Sequence, residues 1–157
     1  MSEQAQDPIL VAVDFSPDSE AAFLWATRAA KCFGTSLAIV HVVHDPESAP
    51  GYYSMKDAAG RLVTMEEAAR VMLDKFLARM TIHPQAETGV ETTTHMTTGL
   101  PANRILEIAQ LTGAQQIVVG SKGRTGLEHL LLGSKAERVA QLSPIPVTIV
   151  KRAYMEQ

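Results

Sequence analysis

The 157-residue chain has a single cysteine, Cys32, so it can form no internal disulfide and no CxxC or zinc cluster. It has no apolar stretch near the ~20 residues that a membrane-spanning helix needs. Its longest such runs, residues 9–13 (ILVAV) and 37–43 (LAIVHVV), are strand-sized. It has no basic excess: 14 Lys and Arg stand against 17 Asp and Glu, for a net charge of −3 and a pI near 5.9. That balance argues against nucleic acid or an anionic membrane as a partner held by bulk charge, while leaving a local basic pocket open. Residues 1–7 are polar and acidic with no basic residue ahead of an apolar run, so no secretory signal is expected there. A cytoplasmic location follows as the expectation, with no nucleic acid and no membrane as partners. The common nucleotide motifs are missing too. There is no GxxxxGK[ST], which excludes a P-loop, and no GxGxxG after the first apolar run, which disfavours dinucleotide binding. No GxSxG surrounds Ser134, so a nucleophilic serine is disfavoured, and no carboxylate cluster announces a metal site built by the protein.

What is present describes a globular α/β chain. Hydrophobic residues make up 46% and charged residues 20%, enough Val, Ile and Leu to exclude disorder as the main state. The length suits one domain, 1–157, with 1–7 and 152–157 as flexible tails. Residues 9–13 lack alternation and read as a strand buried on both faces, as in parallel sheets. Ser16, Pro17 and Asp18 then supply an N-cap, a first-turn proline and a carboxylate at the positive end of a helix running to Phe33, where Gly34 stops it. Ala22, Trp25, Ala26, Ala29, Ala30 and Phe33 form its expected buried stripe, with Cys32 beside it as a small core residue. Residues 36–43 read as a second buried strand, in which His41 and His44 point to opposite faces and make a poor chelating pair.

Residues 45–64 form a connection long enough to be a functional flap or a loose, disordered excursion. The stripe Met65, Ala68, Ala69, Met72, Leu73, Phe76, Leu77 and Met80 marks a second helix. Residues 90–96, rich in Thr, read as a strand near a sheet edge. A third helix starts after Gly99-Leu100-Pro101, runs to Leu111 on Ala102, Ile105, Leu106 and Ala109, and ends at Gly113. Residues 116–119 form a fourth strand, 134–142 a fourth helix with Ala136, Val139 and Ala140 inward, and 147–150 the last strand after Pro144 and Pro146. Five strands alternating with four helices imply a mostly parallel sheet, helices on both faces and right-handed crossovers.

In such a sheet ligands bind beyond the carboxyl ends of the strands, where the winding reverses. Asp14 follows the first strand. The fourth is followed by Gly120-Ser121-Lys122-Gly123-Arg124-Thr125-Gly126 and then by Gly133-Ser134-Lys135 at a helix start. Glycines admit close approach to peptide N–H groups, and a helix start presents N–H donors and a positive dipole end. Lys122, Arg124 and Lys135 add positive charge. A phosphate chain suits this run, and a plain turn with an N-cap serine and solvated basic residues suits it as well.

The spacing Gly120-x2-Gly123-x9-Gly133-Ser134 resembles the nucleotide-binding signature of the universal stress protein family, ATP-binding type. The resemblance extends through Val11-Ala12-Val13-Asp14-Phe15-Ser16, His41-Val42, Gly99-Leu100-Pro101, Ile117-Val118-Val119-Gly120 and Ser143-Pro144-Ile145-Pro146-Val147, almost the whole chain. It implies an open five-stranded parallel sheet in the order 3-2-1-4-5, a Rossmann-like nucleotide-binding fold, and an ATP site, with Mg²⁺ or Mn²⁺ bridging phosphates. By position, Asp14 and the backbone of Val42 would meet the adenine-ribose end. Val119, Gly120 and Gly123 would line the ribose and phosphates, with Arg124 beside them. Gly133, Ser134 and the backbone of Lys135 would hold the phosphates. Lys135 departs from the small apolar residue expected after Gly-Ser. In that strand order Val147–Val150 is an apolar edge, an aggregation hazard that a second copy would cover or that the tail Lys151–Gln157 would shield in a monomer; the resemblance implies the homodimer.

The resulting expectation is an ATP-binding regulatory protein of the stress response with an unknown regulatory partner. Its rivals are a slow ATPase or phosphotransferase, for which no side chain is placed as a general base, and a nucleotide-free interaction or chaperone-like module.

Overall fold

Short apolar runs and helical stripes alternate along the chain, and in the computed structural model they form β1 (Ile9–Ala12), α1 (Pro17–Phe33), β2 (Leu37–Val43), α2 (Met65–Thr81), β3 (Thr92–Thr98), α3 (Pro101–Thr112), β4 (Gln116–Gly120), α4 (Ser134–Leu142) and β5 (Val147–Val150), followed by a 3₁₀ helix, Arg152–Glu156. The structure describes residues 6–45, 50–123 and 132–156. The strands form one parallel sheet in the order β3-β2-β1-β4-β5. The winding reverses between β1 and β4.

Strand parity sorts the core into two layers. Ile9, Val11, Leu37, Ile39, Val118 and Val150 face α1 and α2, while Leu10, Ala38, Val40, Val42, Ile117 and Val119 face α3 and α4. Every residue of β2 is buried, which is why this strand shows no polar alternation. Threonines make up most of β3 because it is an edge, and it is largely exposed. It begins two residues later than the apolar pattern suggests and runs on to Thr98.

The helix limits follow from local chemistry. Ser16 accepts the amide of Ser19 at the start of α1, and Gly34 ends it at φ +65° with its N–H on the carbonyls of Ala30 and Lys31. Thr64 and Glu67 form a reciprocal capping box on α2. Side-chain burial departs from expectation at the helix ends. Phe33 is 55% exposed and Cys32 is exposed as well, because the last turn of α1 overruns the sheet that covers the rest of the helix. Ala140 of α4 is likewise exposed, with burial confined to Ala136 and Val139.

Two segments expected to be loose are packed instead. Between Pro50 and Thr64, Tyr53 is 3% exposed and sits among Val43, Ala68 and Ala69. A bridge between Lys56 and Leu62 closes the loop. Within it Asp57 accepts the amides of Ala59 and Arg61, each at 2.9 Å, and pairs with the Arg61 guanidinium. The Arg61 amide, above all, holds the Asp57 carboxyl below the usual carboxylate range. At the other end, the expected tail over 152–156 is the 3₁₀ helix, whose Tyr154 and Met155 pack against the α1 side of the core. Tyr154, beside Arg28, raises the guanidinium pKa further.

Candidate functional site

The carboxyl ends of β1 and β4 meet at the reversal of the sheet, where an open α/β sheet leaves a crevice. β1 closes with the Val13 N–H donating to Val40 O at 2.9 Å. The chain then turns sharply, with Phe15 at φ +69°, a left-handed conformation costly for an aromatic residue. Packing holds it there. Its ring stacks on His41 at 4.3 Å and meets Phe76 at 5.6 Å. His41 is 1% exposed, with Nδ1 2.7 Å from Val13 O and Nε2 3.0 Å from the Tyr53 hydroxyl. A carbonyl only accepts, so Nδ1 carries the hydrogen.

This turn sets the two oxygens of Asp14 apart. Oδ1 accepts the Ser16 amide at 3.1 Å and the Ser16 hydroxyl at 2.5 Å, a local structural role. Oδ2 faces the loop after β4, across the reversal: a Cβ on Gly123 would lie 3.2 Å from it. The loop after β4 therefore passes the Asp14 carboxylate at a distance that suits glycine. That loop also touches its own far end. The Gly133 N–H donates to Ser121 O at 2.6 Å, and a Cβ on Gly133 would lie 3.2 Å from Ser121 O and 3.3 Å from the Lys122 Cα. Gly133, in extended conformation, is the N-cap of α4 and, as a glycine, supplies no side-chain cap. The expected N-cap serine, Ser134, is instead the first helical residue and is exposed. The first turn of α4 thus lies beside Gly123 and Asp14, and its own N-cap residue leaves the dipole end without a side-chain cap.

The predicted residues divide into three groups. Asp14, Gly123 and Gly133 are brought together, with Ser134 and half-buried Lys135 adjoining in sequence. Val42 and Val119 lie near the carboxyl ends of β2 and β4, with their side chains buried in the α3–α4 layer, so neither side chain is offered to the crevice. Gly120 answers to a different neighbour: a Cβ there would lie 2.7 Å from the Asp18 carbonyl carbon and 2.9 Å from the Asp18 Cβ and O. Its lack of a side chain lets the first turn of α1 lie against β4. Arg124 falls outside the described residues.

Two features escaped the sequence reading. Asp18, read as a helix-dipole carboxylate, is 8% exposed and binds the loop after β4. Tyr53 reaches back to His41. The signal for Tyr53 was an aromatic pair, Tyr52-Tyr53, in a loop too polar otherwise to hold it in place.

Chemically, this arrangement offers main-chain donors, glycine-width access and one carboxylate. Among the described residues no three His, Cys, Asp or Glu side chains gather as a metal site, and no helix is long and apolar enough to cross a membrane.

The universal stress protein family profile matches residues 6–151. The chain belongs to this family. Among curated relatives, the stress response protein NhaX of Bacillus subtilis is 30% identical over 92% of this chain and 98% of its own length. The universal stress protein MJ0531 of Methanocaldococcus jannaschii is 49% identical over 70 residues, 45% of this chain. That alignment spans only 41% of MJ0531, so the chain covers less than half of that relative. Among solved structures, UspA from Lactobacillus plantarum superposes with a TM-score of 0.70 at 20% identity, over 94% of this chain and 99% of its own. A universal stress protein in complex with cAMP superposes with a TM-score of 0.65 at 22% identity, over 95% and 99% of the two chains. The Archaeoglobus fulgidus protein in complex with dAMP gives 0.64 at 21%, over 94% and 100%. The Rossmann-like fold of these universal stress proteins is the fold described here.

Proposed function

We propose that this universal stress protein binds an adenine nucleotide, ATP, at the reversal of its sheet, and that occupancy acts as a regulatory signal to a partner. The observation that carries the reading is the convergence of the Asp14 carboxylate, Gly123 and Gly133 at the mouth of α4, a helix whose N-cap is a glycine. Phosphate oxygens suit the glycine-lined main chain and the dipole end of α4. A carboxylate beside phosphates repels them, so Asp14 serves the ribose or base end. The main chain of Val42, Val119 and Gly120 frames the nucleoside. Gly133, Ser134 and Lys135 supply amides to the phosphates, and Arg124 adds charge to them. The cAMP and dAMP complexes of family structures support the choice of an adenine nucleotide. A divalent cation, Mg²⁺ or Mn²⁺, would be held chiefly by phosphate oxygens and water.

The same reading extends to a homodimer through Val147–Val150, since β5 is a sheet edge with apolar side chains.

Isothermal calorimetry of ATP with Mg²⁺ tests the site, using the wild type and Gly123→Val. The branched side chain would enter the 3.2 Å gap to Asp14 Oδ2 from the loop side. Wild-type binding with at least a tenfold loss in the variant is the expected result. Equal affinities, or a wild type that takes up no adenine nucleotide, would overturn the reading.

A further inference from the structure

The Asp18 carboxylate joins three distant parts of the chain. It lies in the first turn of α1 and is 8% exposed. Its Oδ2 accepts the Lys122 N–H at 2.9 Å and the Ser121 hydroxyl at 3.2 Å, both in the loop after β4. Its Oδ1 accepts the Arg152 N–H at 3.0 Å, where the C-terminal 3₁₀ helix begins. Placing a carboxylate in such a buried position is costly unless donors surround it, and here the donors come from segments 103 to 134 residues away. The bonds continue on either side. Ser121, which donates to Asp18 through its hydroxyl, accepts the Gly133 N–H on its carbonyl and donates its own amide to Val150 O at 2.9 Å. One carboxylate thus fixes both the entry to the loop after β4 and, through Ser121, its exit at the mouth of α4. The same carboxylate fixes the start of the C-terminal helix.

We infer that Asp18 is a positioning residue for the nucleotide loop and the junction through which that loop and the C-terminal helix sense one another. The inference rests on the nucleotide reading above. A ligand that holds residues 121–123 in place favours the arrangement in which Asp18 also holds Arg152. By linkage, whatever immobilises the C-terminal helix tightens the nucleotide site by the same factor. The helix is suited to this role because it contacts α1 through Tyr154 and Met155 while Arg152, Ala153 and Glu156 remain exposed to a partner.

The test uses the full chain with Asp18→Asn and Arg152→Pro. Asparagine keeps the shape but turns one acceptor into a donor. Proline removes the Arg152 N–H together with an exposed side chain, at a first-turn position that tolerates it. ATP affinity is measured by calorimetry, and amide hydrogen exchange over 121–123 and 153–156 is followed with and without saturating ATP. In the wild type ATP slows exchange over 153–156 at least threefold. Asp18→Asn binds ATP about tenfold more weakly, and at saturation ATP leaves 153–156 unchanged. Arg152→Pro loses no more ATP affinity than the factor by which ATP slows exchange at 153–156 in the wild type, yet loses that response entirely, an outcome that simple loss of stability does not produce. Should Asp18→Asn fail to fold, Arg152→Pro decides alone. An intact response at 153–156 in either folded variant, or wild-type affinity in Asp18→Asn, overturns the inference while leaving the nucleotide site standing. A wild type that binds no ATP removes the nucleotide reading and this inference with it.

Discussion

Phe15 lies over His41 with ring centroids 4.3 Å apart and planes inclined by 27°, while its own backbone sits at φ +69°. The stack is what keeps a costly backbone in place. A left-handed conformation costs a non-glycine residue about 1–2 kcal/mol, and an aromatic pair returns about 0.5–1.5 kcal/mol beyond its buried area. Alanine at this position would keep the cost and lose the ring, whereas glycine would lose both. Phe15→Gly is therefore expected to be about 1 kcal/mol more stable than Phe15→Ala, the reverse of the usual order, with both below the wild type. Urea denaturation of the three proteins reads the difference directly. Alanine equal to or better than glycine would mean that the turn carries no strain.

The same histidine anchors the loop over β2. With hydrogen on Nδ1, the Nε2 of a neutral His41 ring accepts from the Tyr53 hydroxyl. Removing that hydroxyl in Tyr53→Phe costs about 1 kcal/mol, the net worth of one buried hydrogen bond. Most of the loss should be local, because the Tyr53 ring still packs on Val43, Ala68 and Ala69. Amide exchange is expected to quicken over residues 51–63 and to stay slow in β1 and β4. Uniform quickening would place Tyr53 in the global core instead.

The main chain of β5 alternates in what it faces. Pro146 O and Val150 O accept from the amides of Ile117 on β4 and Ser121 just after it, so the intervening Val147 and Ile149 turn their main-chain groups to the open edge. If a second copy covers this edge, Ile149→Pro removes an outward donor and leaves the β4 ladder intact. Sedimentation velocity is expected to show a dimer for the wild type and a monomer for the variant. A monomeric wild type would reject the β5 dimer.

Legibility in the sequence followed the range of the interactions involved. The limits of α1 and β5 could be read residue by residue because Ser16-Pro17, Gly34 and Pro144-x-Pro146 act within a turn of where they stand. Burial at Phe33 and Cys32 was misread because helical periodicity marks a stripe but not where the sheet beneath it stops. Asp18 was invisible as a junction because all of its long-range donors lie more than a hundred residues ahead. Within the candidate site, glycine spacing was legible and glycine purpose was not. Gly120 and Gly123 look equivalent as letters, but one accommodates a helix and the other faces a carboxylate.

That distinction between the two glycines can be measured. A Cβ on Gly120 would press on Asp18 main-chain atoms at 2.7 and 2.9 Å, and neither α1 nor β4 can give way without disturbing the layer between them. Overpacking of this kind costs about 1–3 kcal/mol, and contact with main chain puts Gly120→Ala near the upper end. On Gly123 the Cβ would meet only the Asp14 Oδ2 at 3.2 Å, the far end of a side chain that can shift by a few tenths of an ångström. Gly123→Ala is expected to cost less than about 1 kcal/mol. Function should separate the pair further. Gly123→Ala narrows the approach to the nucleotide and weakens ATP binding severalfold in a protein that melts almost normally. Gly120→Ala displaces Asp18, which holds Ser121 and Lys122, and so loses stability and affinity together. Thermal melts and ATP titrations on both variants check that affinity falls without stability at Gly123 alone. If both glycines lose stability and affinity in step, the loop after β4 is a packing element at both positions.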